Sequence, residues 1–91
     1  MVARRYFISG DVQGVGFRYF VLREVQKIGK IMGFVRNLPD GRVEAYAEGD
    51  EQVLVQLESR LRKGPSGSWV SDLQIIEEVA GNEYSDFRIT F

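Results

Sequence analysis

The sequence predicts an α+β fold, an antiparallel sheet with two helices on one face and a short extra strand towards the C-terminal end. Three observations carry this. The apolar period changes along the chain in the order strand, helix, strand, strand, helix, strand. Both helical stretches end on glycine, Gly29 and Gly64, and the second is followed at once by Pro65. The middle two strands are joined by Leu38-Pro39-Asp40-Gly41, with proline and glycine where a type I turn wants them. That order suggests the ferredoxin-like βαββαβ sandwich.

Residues 3–9, ARRYFIS, mix aromatic and β-branched residues with arginine and read as the first strand, with Arg4 and Arg5 as solvated positions at its start. From Phe17 the spacing is helical. Phe17, Val21, Val25 and Ile28 share one side, widened by Phe20, and Arg23, Glu24 and Lys27 lie opposite. Residues 31–37, IMGFVRN, are apolar on both faces and read as an interior strand. Residues 42–48 alternate: Val43, Ala45 and Ala47 face a core, and Arg42, Glu44, Tyr46 and Glu48 face water. Asp50 is a candidate N-cap for a second helix whose buried stripe is Val53, Leu54, Leu57 and Leu61. Arg60, Arg62 and Lys63 at its end complement the helix dipole. Residues 69–79 contain a strand whose phase stays open, because apolar residues fall on both parities. A polar turn over 80–85 precedes a last strand over 86–91, where Phe87, Ile89 and Phe91 alternate with Arg88 and Thr90.

Ninety-one residues with 44% hydrophobic and 27% charged side chains suit one soluble domain, 1–91, with no repeat or linker. No apolar run is long enough to span a bilayer and the N-terminus lacks a signal peptide's apolar region, so the expected place is the cytoplasm, with no membrane partner. A formal net charge of -1 argues against a nucleic-acid partner, which needs a basic surface. Cysteine and histidine are both absent. Thiolate nucleophiles, zinc ribbons and the usual neutral-pH general base are therefore excluded, which leaves fixed charge, backbone amides and carboxylates as the means of any chemistry.

Between the first strand and the first helix lies Ser9-Gly10-Asp11-Val12-Gln13-Gly14-Val15-Gly16-Phe17-Arg18. Its glycines allow the backbone to turn N–H groups inward, and it leads into an open helix end followed by an arginine, the ingredients of an anion cradle. The plain alternative is a glycine-rich turn from strand to helix. In a split βαβ unit the first and second strands run the same way with the third between them. The loop, Arg18 and Asn37 should then converge at one edge of the sheet.

Val12-Gln13-Gly14-Val15-Gly16-Phe17-Arg18, Gly33-Phe34-Val35-Arg36-Asn37 and Asp40-Gly41-Arg42-Val43-Glu44 together resemble the acylphosphatase family. The resemblance continues through Gly49-Asp50, Gly64-Pro65 and Phe87-Arg88-Ile89. It implies hydrolysis of the carboxyl–phosphate bond of a small acyl phosphate, releasing inorganic phosphate, with no metal or other cofactor. It also implies that Arg18 holds the phosphoryl group, that the amides of Gln13, Gly14, Val15, Gly16, Phe17 and Arg18 complete the cradle, and that Asn37 orients the attacking water. A monomer is expected. Against the family pattern, the segment 29–33 is longer by about a residue, Lys30 stands where an apolar side chain is expected, and Asp11 puts an acid beside the cradle.

Two other readings use the same fold. A non-catalytic anion-binding module, like the acylphosphatase-like domains inside larger maturation enzymes, would not require both Arg18 and Asn37. An RNA-binding sheet would need aromatic residues along the third strand, where residues 42–48 carry acids instead.

Overall fold

The computed structural model describes residues 1–14 and 16–91. The elements are β1 (Val2–Asp11), α1 (Phe17–Ile28), β2 (Met32–Asn37), β3 (Val43–Gly49), α2 (Glu51–Lys63), β4 (Trp69–Glu78) and β5 (Phe87–Ile89). They form a five-stranded sheet in the order β4-β1-β3-β2-β5, with both helices packed against it. The four strands of the βαββαβ unit pair antiparallel, as the sequence predicts. The added strand, β5, pairs parallel with β2, so the complete sheet is mixed. No described helix is long and apolar enough to cross a membrane.

The helical periods translate directly into packing. Phe17, Val21 and Val25 of α1 are buried, as are Leu54, Leu57 and Leu61 of α2. They meet Tyr6, Ile8, Val35, Val43, Ala45 and Ala47 from the sheet. Each of the three α2 leucines is fully buried, worth about 1.5–3 kcal/mol relative to exposure. Gly29, at φ 80°, closes α1 by donating its N–H to the Val25 carbonyl at 2.8 Å. Lys30 follows in the left-handed region at φ 62° and points to solvent, which seats Ile31 in the core.

The structure departs from the sequence expectations at the charged residues. Arg4 is not solvated; it is 8% exposed on the helix side of the sheet. Its guanidinium reaches Glu58 at 2.9 Å and Glu77 at 2.8 Å, tying β1 to α2 and β4, and Glu51 at 3.1 Å. Tyr6 donates to the same Glu58 oxygen that accepts from Arg4. Burial, and then the bond to Glu58, push the Tyr6 phenol well above its usual range. Glu58, on the leucine side of α2, is buried because Arg4 and Tyr6 satisfy it there.

The other sheet face, expected to be wet at β3, is also covered. Glu44, Tyr46 and Glu48 are all buried. Arg5 and Arg36 close over Glu44 from either side, each at 2.6 Å. The polar turn folds back over the rest. The amides of Gly81 and Asn82 and the hydroxyl of Tyr46 all donate to one Glu48 oxygen, and Tyr84 packs on Phe34 and Tyr46. Among the described residues no buried side-chain nitrogen or oxygen lacks a hydrogen-bond partner.

The open phase of β4 also has a cause. The β1–β4 register shifts between Ser9 and Gly10, so that Ser9 faces Asp72 and Gly10 faces Val70. Ser71 is the extra residue of this irregularity, and it puts Val70 on the core side together with Leu73 and Ile75.

Candidate active site

β1 and β2 flank β3 and run the same way, so their C-terminal ends share one edge of the sheet. The glycine loop leaves β1 at that edge. Gly10, at φ 128°, lies so close to β4 that a Cβ there would stand 2.1 Å from the Trp69 carbonyl oxygen. Val12 is buried and so is Phe17, the first residue of α1. These two side chains anchor the ends of the loop, and Gly14 and Gly16 turn it through positive φ between them. Val15 lies outside the described residues.

The loop delivers a helix start with little to neutralise it. Gly16, at φ 75°, is the N-cap of α1 and provides no side-chain cap, and the first turn has no acidic residue. The first helical bond is donated by Phe20 to the Gly16 carbonyl at 2.9 Å. The amides of Gly16, Phe17, Arg18 and Tyr19 precede that bond and have no acceptor within the helix. Open amides and the positive end of the dipole make this a place for an anion.

A cavity of about 140 Å³ opens there, lined by Gly14, Gly16, Phe17, Arg18, Tyr19 and Asn37, with Val12 behind. That is several times the roughly 10–15 Å³ one water requires, room enough for a tetrahedral oxyanion. Arg18 and Asn37 thus face one space from α1 and from the last position of β2. Among the described residues neither side chain forms a hydrogen bond, and Arg18 forms no ion pair, so the guanidinium donors and the carboxamide are available to a ligand.

Not every expected residue lines the cavity. Gln13 does not. Its side-chain amide instead donates to the carbonyls of Leu38 at 2.7 Å and Arg42 at 2.9 Å, fastening the loop to the β2–β3 turn. Asp11 is exposed at the end of β1 and stays outside the lining, so among the described residues no acid faces the cavity. Tyr19 was not anticipated. It follows Arg18 on the exposed side of α1, and nothing in its spacing distinguishes it from a surface residue.

A larger groove of about 450 Å³ runs along β2 and β5, lined among others by Phe34, Arg36, Tyr84 and Arg88. Its arginines are already paired, Arg36 with Glu44 and Arg88 with Asp86, so it offers an anion much less than the small cavity does. Among the described residues no group of three or more His, Cys, Asp or Glu side chains could hold a metal ion.

Fold and site together define a class: a ferredoxin-like sandwich with a small cavity at the start of its first helix, faced by one arginine and one asparagine. Comparison with known proteins specifies it. The acylphosphatase family pattern matches residues 4–89. The acylphosphatase of Archaeoglobus fulgidus is 41% identical over 91 residues, covering all of both chains. A crystal structure of acylphosphatase from Bacillus subtilis superposes with a TM-score of 0.94 at 40% identity, again over all of both chains. A structure of full-length HypF superposes with a TM-score of 0.86 at 32% identity, covering 99% of this chain and 12% of that one. The chain belongs to the acylphosphatase family.

Proposed function

We propose that the chain hydrolyses the carboxyl–phosphate bond of small acyl phosphates to a carboxylate and inorganic phosphate, as a single-domain cytoplasmic monomer without metal or cofactor. Family membership supports the reaction. The observation that carries the site is that Arg18 and Asn37 face one oxyanion-sized cavity at the open end of α1.

In this reading the guanidinium of Arg18 grips two phosphoryl oxygens, and the amides of Gly14, Gly16, Phe17 and Arg18 receive the phosphoryl charge. A planar fork that stays protonated at any working pH suits this task. Asn37 holds a water against the phosphorus through its uncharged acceptor and donors. The water oxygen forms the new P–O bond, the bond to the acyl oxygen breaks, and the carboxylate leaves with the electron pair. Asn37 is too weak a base to take the water's proton, which passes to an oxygen of the substrate. Carboxylate is a stable leaving group, so positioning and charge stabilisation suffice.

Purified chain should hydrolyse benzoyl phosphate, with inorganic phosphate as a competitive inhibitor. Absence of turnover would defeat the proposal. Phosphate binding without turnover would instead favour an anion-binding module, the reading suggested by the likeness to one part of HypF.

A further inference from the structure

We propose that Phe91 is a positioning residue for Arg18, its ring holding the guanidinium plane so that the N–H edge faces the oxyanion. This rests on the reading of Arg18 as the phosphate holder. Because β5 runs parallel to β2, the residues after it arrive at the edge that carries Asn37 and the loop. The amide of Thr90 bonds to the Val35 carbonyl at 2.9 Å and extends the pairing up to Phe91. The ring centroid of Phe91 then lies 4.7 Å from Cζ of Arg18.

The character of this contact matters. Arg4, Arg5, Arg36, Arg42, Arg60 and Arg88 are each held by a carboxylate. Among the described residues Arg18 has no such partner, as is also true of Arg23 and Arg62, but of these three only Arg18 lies at the cavity and against an aromatic ring. A carboxylate would hold the guanidinium but would occupy the donors and oppose an incoming phosphate. An aromatic face attracts the cation through its quadrupole and leaves the in-plane N–H groups free. Phe91 is 93% exposed, so it does not belong to the core and can be replaced without opening a cavity.

The test compares the full chain with Phe91→Ala, Phe91→Leu and Phe91→Trp, by calorimetric titration of inorganic phosphate and by benzoyl phosphate kinetics. Phe91→Ala should weaken phosphate binding and raise KM by about 2- to 5-fold, the range of an exposed cation–π pair, with kcat unchanged. Phe91→Trp should restore both, and Phe91→Leu, which has no π face, should not. Unchanged binding in Phe91→Ala, rescue by Phe91→Leu as complete as by Phe91→Trp, or a Tm that falls in step with binding would each overturn the proposal. The titration needs no turnover, so a failure of this inference is distinguishable from a failure of the hydrolase reading.

Discussion

Arg18 and Asn37 divide the work between charge and orientation, and the division is measurable. Arg18→Ala should abolish both phosphate binding and turnover. Arg18→Lys should rescue little, because a point charge cannot replace a bidentate fork. Asn37→Ala should leave phosphate affinity nearly intact and lower kcat by at least ~10²-fold, the scale for removing one positioned polar group. Titration and steady-state kinetics on the same preparations separate the two. Gln13 acts at one remove, since its amide bonds the loop to the turn that follows Asn37. Gln13→Glu would set an acceptor against two carbonyls and release that tie. It should lower kcat by roughly 10-fold or more, since small misplacements near reacting atoms are costly, while phosphate affinity moves less.

Among the elements, β3 is the middle strand and approaches its neighbours closely. Gly33 of β2 sits at φ 143°, where a Cβ would stand 1.8 Å from the Tyr46 carbonyl oxygen. Gly33→Ala should therefore cost roughly 2–5 kcal/mol, combining overpacking against backbone with an unfavourable φ. Gly41 also has positive φ but would meet nothing within 4 Å, so Gly41→Ala should cost only the conformational part, about 1 kcal/mol. Urea denaturation of the two variants gives the contrast. An equal loss in both would show that the β2–β3 approach is not as tight as described.

Over the whole molecule, buried charge stitches the layers together. Arg4 joins β1, α2 and β4 on the helix side, and Glu48 gathers Tyr46 and the 80–85 turn on the other. Such groups couple folding to pH. Burial and the bond to Glu48 push the Tyr46 phenol up to about 12, and Tyr6 is raised as well. A phenol whose folded pKa lies above its unfolded value near 10 contributes stability that is complete below about pH 10 and is lost as pH rises through the folded value. The urea midpoint should accordingly hold steady from neutrality to about pH 9 and fall between about 10 and 12. Tyr46→Phe should flatten part of that fall. An unchanged alkaline slope in this variant would remove Tyr46 as a cause.

The element order, both helices and the meeting of Arg18 with Asn37 were determined by the sequence, because each follows from local periodicity, turn residues and the strand directions that a split βαβ unit imposes. What lay beyond it involves partners distant along the chain. Arg4, Arg5, Glu44 and Glu48 look like solvated positions until the strands, α2 and the 80–85 turn close over them with opposite charges and amides. The phase of β4 depends on the register shift opposite Gly10, which has no local signature in residues 69–78. That Gln13 would brace the β2–β3 turn, and that β5 would pair parallel with β2 and bring Phe91 to Arg18, were decided only by the tertiary structure. Hydrophobic period specifies which side of an element is buried, but long-range packing chooses which polar groups meet there.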